Sequence, residues 1–371
     1  MRALRVAVAG GSLGGLFAAI LLRQAGHAVR VFERSASGLD GRGAGLVPQR
    51  EVFEVLRRIG AEDLVKVGVV ARDRIVLDAA GGIAHRQATP QMQVSWDHLY
   101  RAVRARLTET DYRLGRTVQG ATQSDAGAVL HFTDGGSEDA DLVLGADGIG
   151  SVLREAVTGQ PSPNRYAGYV AWRGLVPEGA LPEDSAGMLL DRFAFAMLPG
   201  SQALGYSVTG PHGEMTRGER RYNWVWYRRV AAAELGDVLT DASGRAHPFS
   251  LAPGQLPEAR AAKLRADAAM LLPPPFAAAV AAERSPFVQA IFDYEAPRMV
   301  SGRLALLGDA AFVVRPHTAM GVAKAAGDAM ALQAHLGRLP LEAALRAYER
   351  ERMPVGAAIA AHGQRLGAEL D

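Results

Sequence analysis

The chain contains no cysteine, and only three of its 371 residues are lysine (Lys66, Lys263 and Lys324). The first absence excludes disulfides, thiolate catalysis and cysteine-ligated metal, and it fits a reducing compartment. The second leaves arginine carrying the positive charge, which reads as genome composition rather than chemistry. The net charge of +2 is too small to argue for nucleic acid or an anionic membrane as partner. No uninterrupted apolar run approaches the ~18 residues of a membrane-spanning helix, and the opening residues read as a folding strand rather than a leader. A cytoplasmic protein with no membrane segment is therefore expected. Apolar residues make up 49% and charged residues 22%, a balance that excludes disorder and supplies ample core for two domains. No internal repeat and no low-complexity linker is present.

The first informative stretch is LRVAVAGGSLGGLFAAILLRQAGHAVRVFE, Leu4 to Glu33. Arg5 to Ala9 is short, apolar and β-branched, as a buried parallel strand should be. The turn Gly10-Gly11-Ser12-Leu13-Gly14-Gly15 leads into an Ala/Leu-rich helix reaching about Gly26, and Val29 to Phe32 reads as a second strand. Glu33 follows Gly10 by 23 residues, near the spacing of about 20 at which an acid meets a ribose hydroxyl. Glycines let backbone approach a pyrophosphate, and the helix N-terminus offers free N–H groups and positive dipole. Ser12 replaces the middle glycine of the usual pattern. On this stretch alone FAD and NAD stay equally open, beside a plain βαβ unit.

The later chain adds two further stretches. Polar, glycine-rich Ser35 to Gly45 reads as a functional loop, Gln49 to Ile59 as an amphipathic helix, Arg74 to His85 as a hairpin and Trp96 to Leu107 as a helix. The acidic run Ser137 to Asp141 reads as a solvated turn. DLVLGADGIGSVLRE then gives a strand, a tight turn at Asp147 and a helix; Asp147 serves a ligand or merely caps the helix. Tyr166 to about Val230 holds four aromatic-rich strands, the signature of an antiparallel sheet covering something. Leu256 to Glu283 is helical, interrupted by Pro273-Pro274-Pro275. In RLALLGDAAFVVRPHTAMGVAKAAGDAMAL, a strand ends at Gly308-Asp309, and a helix begins near Met320-Gly321.

These three stretches, in this order, resemble the class A FAD-dependent aromatic monooxygenases, the p-hydroxybenzoate hydroxylase-like group. Within it the tokens VAWRGLV, NWVWYR, LPPPF and GDAAFVVRPHTAMGVAKAAGDA are similar to the subgroup that hydroxylates dihydroxypyridines. Departures from the broad group are Ser12, Phe312 where a histidine usually stands, Thr318-Ala319-Met320-Gly321 for a double-glycine turn, and Trp96 where an arginine is usual. Arg101, one helical turn on, is the substitute candidate for pyrophosphate contact.

The resemblance implies an α/β protein. Its discontinuous Rossmann-like FAD domain would be residues 1–71, 97–163 and 288–371, and an α+β substrate domain on an antiparallel sheet would be 72–96 and 164–287. It implies a hydroxylase that uses NADH or NADPH and O2 to hydroxylate a small hydroxylated aromatic or N-heterocycle through a C4a-hydroperoxyflavin. An FAD-dependent reductase or oxidase, or a non-catalytic redox sensor, are the alternatives. FAD-binding roles pass to Gly10, Ser12, Leu13, Gly15, Glu33, Arg34, Asp147, Gly308 and Asp309. The flavin ring is assigned Pro316, Met320, Gly321 and Val322, with Gly43-Ala44-Gly45-Leu46 on its other edge. Pro316, His317 and Tyr206 are the substrate candidates. His317 is the candidate base because imidazole titrates near working pH; alternatively it only bonds loop backbone, and Tyr206 only fills core. Trp172, Trp224 and Trp226 are read as packing. Lys324 either neutralises flavin charge or is a surface lysine. The expected partner is a small aromatic substrate, with no nucleic acid and no metal, and a homodimer is the assembly entertained.

Overall fold

The structure is a computed structural model that describes residues 2–41 and 45–368. Its path starts with β1 (Arg5–Ala9), α1 (Leu13–Gln24) and β2 (Ala28–Phe32). The chain then forms the long hairpin β3 (Val69–Leu77) and β4 (Ile83–Ser95), followed by α2 (Trp96–Arg104). It returns with β5 (Leu142–Gly145) and runs through β6 (Arg165–Pro177), β7 (Arg192–Leu198), β8 (Ser201–Val208) and β9 (Arg221–Arg229). After β10 (Phe287–Glu295) come β11 (Leu304–Leu306), α3 (Gly321–Leu336) and α4 (Leu341–Gly367).

Among the described residues these strands make two principal sheets. The first is six-stranded in the order 300–301, β11, β5, β1, β2, 112–113. All its neighbours are parallel except the first pair. Its central strands are largely apolar because helices cover it; Val8, Leu142 and Leu144 are wholly buried. The second sheet is ten-stranded, in the order 250–251, β10, β6, β9, β8, β7, β3, β4, 45–46, with Phe312–Val313 pairing to β10 off this path. It is antiparallel as expected except where β7 runs parallel to β3, which joins the hairpin to the aromatic strands.

Alternation gives the second sheet two unlike faces. Trp172, Trp224 and Trp226 point to a core shared with Leu264 and Phe276 of the helices Glu258–Leu271 and Pro274–Ala282. The opposite face carries Tyr169, Tyr206, Val225 and Tyr227. The three tryptophans are packing residues, as their alternation requires.

One local expectation, the solvated turn at Ser137 to Asp141, is corrected. Ser137–Ala140 is a strand paired to Ala128–Phe132, not a solvated turn. Asp141 is buried and accepts from the Arg5 N–H at 2.8 Å. Partner strands rather than local polarity decide this segment.

The βαβ corner is held by glycine contacts. A Cβ on Gly15 would lie 2.0 Å from the Gly10 carbonyl oxygen, whereas one on Gly120 would meet nothing within 4 Å. Gly15→Ala should therefore destabilise the protein by at least about 2–3 kcal/mol. Gly120→Ala should leave the melting temperature within a degree or two of the parent, since surface changes of this kind cost roughly 0.5 kcal/mol or less. Paired thermal melts check this, and equal midpoints for the two variants would refute the packing argument.

Candidate active site

The C-terminal ends of β1, β5 and β11 meet at one crevice, where an open parallel sheet binds ligands. Gly10 has φ +100°, and a Cβ there would sit 2.3 Å from the Ala146 carbonyl oxygen. Glu33 is buried at the tip of β2 and clamps the turn: Oε2 accepts from the Gly11 N–H and Oε1 from the Ser35 N–H, each at 2.9 Å. Tyr112 seals the back, donating to the Gly11 carbonyl at 3.0 Å, and burial pushes its hydroxyl pKa up. Ser12 leads into α1 without capping it, Leu13 is buried and Arg34 is exposed. Nothing but bare backbone fits between Gly10 and Gly15, and that cradle fits a pyrophosphate.

The second motif faces the cradle. Asp147 Oδ2 accepts from Val152 N–H at 2.8 Å and Leu153 N–H at 3.4 Å, so it does cap the following turn. Its other oxygen, Oδ1, is buried with no hydrogen-bond partner among the described residues. Burial pushes this carboxyl pKa up, against the bonds that favour its charge. An orphaned carboxylate oxygen beside Gly10 suits a hydroxyl-bearing ligand.

Arg154, quoted in GSVLRE but assigned no task by sequence reasoning, ties the second motif to the third. Its Nη2 donates to the Asp309 carbonyl at 2.6 Å, Nε to the Ala310 carbonyl at 2.8 Å and Nη1 to Asn164 Oδ1 at 2.8 Å. Its guanidinium also stacks 3.8 Å from the Tyr294 ring centroid. Gly308 is held from the other side, its N–H donating to Asp328 Oδ2 at 2.9 Å, while Asp328 Oδ1 accepts from Arg352 Nε at 2.7 Å. The Asp309 main chain is thus pinned while its carboxylate stays half exposed. Lys324 is not at the surface: it is buried, with Nζ 3.6 Å from Asp309 Oδ1.

Arg101 is drawn elsewhere, towards the Pro211 carbonyl, with Nε 4.0 Å from Asp40 Oδ1. It bridges two rim loops, and among the described residues no contact links it to the glycine turn. Gly43 and Ala44 lie outside the described residues. Gly45 and Leu46 pair with the end of β4, and a Cβ on Gly45 would lie 2.3 Å from Tyr206 Cε2.

Tyr206 anchors a buried apolar patch on the face of the second sheet opposite the tryptophans, with Val47, Ala71, Phe193 and Val208. Phe193 meets it edge-on at 4.9 Å, and Ala319 of the third motif packs against the patch. Ala319 adopts φ +53°, the strained turn that starts α3. Burial pushes the Tyr206 hydroxyl up to about 12, opposed by the charge of Arg173. Pro316 is exposed, Met320 precedes α3, and Gly321 and Val322 form its first turn.

His317 stands in a neighbouring cluster. Its Nε2 shares a 2.9 Å hydrogen bond with the Tyr169 hydroxyl, and its ring lies 4.2 Å from that of Tyr227. Leu204 packs against both clusters and marks their border. Burial, then the nearby charge of Arg315, lowers the imidazole pKa to about 4. Arg315 is itself fixed by Asp293, at 3.0 and 2.9 Å.

That low value fixes a pH dependence. An exposed histidine takes a proton near 6.5, but folded His317 refuses one until about 4. Below pH 6.5 the unfolded chain therefore binds the extra proton, and stability falls as pH drops through this window. His317→Asn removes the titration and should flatten that fall by on the order of 2–3 kcal/mol at its acid end. Denaturant unfolding of both proteins across the window measures it, and parallel curves would contradict a depressed imidazole.

Among the described residues, no cluster of three His, Asp or Glu side chains is placed to hold a metal, and no helix is long and apolar enough to cross a membrane. The family model described as "FAD binding domain" matches residues 3–178 and 275–362, and one described as "FAD binding domain-like" matches 166–293. The chain is 32% identical to 2,6-dihydroxypyridine 3-monooxygenase of Paenarthrobacter nicotinovorans, over 99% of this chain and 91% of that protein. It is 30% identical to 6-hydroxynicotinate 3-monooxygenase of Bordetella bronchiseptica, over 94% of this chain and 87% of that one. The solved structure of 2,6-dihydroxypyridine-3-hydroxylase from Arthrobacter nicotinovorans superposes with a TM-score of 0.93 at 31% identity, covering 100% of this chain and 93% of that one. The glycine cradle, the pinned Asp309 and these likenesses converge, and the chain belongs to the FAD-binding family of aromatic-ring monooxygenases, oxidoreductases that work with FAD, NAD(P)H and O2.

Proposed function

We propose that the protein hydroxylates a small hydroxylated N-heterocycle of the hydroxypyridine kind. The carrying observation is the apolar patch of Tyr206, Phe193, Val47 and Val208, met by Ala319 where the third motif reaches the sheet. A flat ring fits such a patch, and the two relatives above are named for hydroxypyridine-type substrates. The division into an FAD unit (1–71, 97–163, 288–371) and a substrate unit (72–96, 164–287) follows the two sheets in outline, although 45–46, 69–71, 288–295 and 312–313 pair into the second sheet from within the FAD unit's range.

Bound FAD supplies the redox chemistry, taking electrons from NADH or NADPH and activating O2. The chain's own residues then have separable tasks. Backbone at Gly10, Ser12, Leu13 and Gly15 receives the pyrophosphate, and Glu33 with Arg34 serves the adenosine side. Gly308 and Asp309 accept the hydroxyls of the ribityl chain, with Asp147 Oδ1 beside them. Gly45, Leu46, Pro316, Met320, Gly321 and Val322 frame the ring system and exclude water. Tyr206 and Phe193 hold the substrate ring, and the Arg173 cation on the same face favours an ionised substrate hydroxyl.

His317 is neutral at working pH, because its pKa is lowered to about 4. A group so weakly basic does not store a proton. It passes one along the bond to Tyr169, which makes the pair a relay rather than a reservoir.

A panel of hydroxypyridines and phenols, scored for substrate-stimulated NAD(P)H consumption and hydroxylated product, tests the assignment. Hydroxypyridines should stimulate and be hydroxylated, and a panel won by simple phenols would overturn the heterocycle. With the best substrate, His317→Asn should retain FAD and its reduction while hydroxylation falls roughly 10²–10⁴-fold. Hydrogen peroxide per NAD(P)H should rise in step. Unchanged rate and coupling would remove His317 from the relay and leave it a packing residue.

A further inference from the structure

Lys324 has no task in the scheme above, yet both burial and the helix dipole oppose its charge. It is 1% exposed, and its Nζ has no hydrogen-bond partner among the described residues. It lies in the first turn of α3, at the positive end of the helix dipole, where a cation is disfavoured. Arg352, the other buried cation against this helix, is matched by Asp328 at 2.7 Å. Lys324 has instead the looser Asp309 contact, 3.6 Å from Nζ to Oδ1. A methionine of similar length would fill the same volume without the desolvation cost.

Asp309 shows the complementary arrangement. Its backbone carbonyl is held by Arg154 Nη2 at 2.6 Å, and its side chain is 47% exposed, with Lys324 against one oxygen. The buried ammonium touches the carboxylate from the protein side and leaves its remaining lone pairs open to a ligand.

We propose that Lys324 is a positioning residue for Asp309: its ammonium, 3.6 Å from Oδ1, holds the carboxylate turned to accept hydroxyl hydrogen bonds from the ribityl chain of FAD. This rests on the reading of Asp309 as ribityl acceptor. Lys324 does not itself touch the cofactor, so its effect on FAD passes entirely through Asp309.

The test is a double-mutant cycle on FAD affinity, read by flavin fluorescence quenching on titrating apoprotein, with a thermal melt of each apoprotein. Lys324→Met should weaken FAD about ten- to hundredfold, the worth of a charge-assisted bond. Its apoprotein should melt no lower than the parent. Asp309→Asn should weaken FAD by a similar factor, and the double variant should bind no worse than Asp309→Asn alone. Lys324→Gln replaces the methionine variant should that one fail to fold. Parent-like affinity in the lysine variant, or penalties that multiply in the double variant, overturns the proposal. Failure of both lysine variants to fold also overturns it, because the ammonium would then serve the fold. Parent-like affinity in Asp309→Asn sinks the ribityl reading itself, and so separates the two failures.

Discussion

The molecule is built around a contact too close for any side chain. At the end of β1 the Gly10 backbone passes the Ala146 carbonyl at a distance where a Cβ would be only 2.3 Å away, and Gly15 closes on Gly10 from the other side. That approach brings β1 and β5 together at their C-terminal ends, and parallel pairing carries the same alignment to β11. Asp147 and Asp309 then fall on one rim. Glu33, Tyr112 and Arg154 each spend polar atoms on backbone of this rim rather than on one another. Rigidity at the cofactor cradle is therefore supplied largely by side chains that grip main-chain groups, an arrangement insensitive to which substrate the other sheet receives.

Much of the cradle is legible in the chain because its determinants are local. A glycine turn between an apolar strand and an Ala/Leu helix has few other uses, and the acid closing the next strand lies within the same 30 or so residues. The four aromatic strands are likewise legible from alternation, which separates Trp224 and Trp226 from Asn223, Val225 and Tyr227 on the opposite face. What stays illegible depends on partners far away in the chain. Lys324 is an ordinary helix lysine until α4 packs over α3 and Arg352 claims Asp328. Ser137–Ala140 is polar enough for a turn until Ala128–Phe132 supplies a strand to pair with. Arg154 looks like one more helix arginine until residues 309 and 310 present their carbonyls to it.

His317 shows how environment replaces residue type as the carrier of function. The sequence argument rested on imidazole titrating near neutrality. Packed on Tyr227, bonded to Tyr169 and close to Arg315, the ring has lost that property in the fold. What it retains is the hydrogen bond between Nε2 and the Tyr169 hydroxyl, and hydrogen-bond direction rather than charge is what such a ring offers a substrate. The aromatic ring of Tyr169 has the Arg315 guanidinium 5.6 Å from its centroid, so one cation influences both members of the pair.

The strand order of the six-stranded sheet also governs how the chain is born. β1 leaves the ribosome first, but its neighbour β5 begins at Leu142 and the next strand, β11, only at Leu304. Between those dates the aromatic strands β6 to β10 are made. β5 therefore waits from Gly145 to Leu304 for its second neighbour, an apolar edge exposed to other nascent chains. Nucleation from distant segments is slow for the same reason, since loop closure precedes any reward from pairing. The cofactor site shares that timing: Gly308 and Asp309 follow β11 directly, so the cradle is complete only when the six-stranded sheet is.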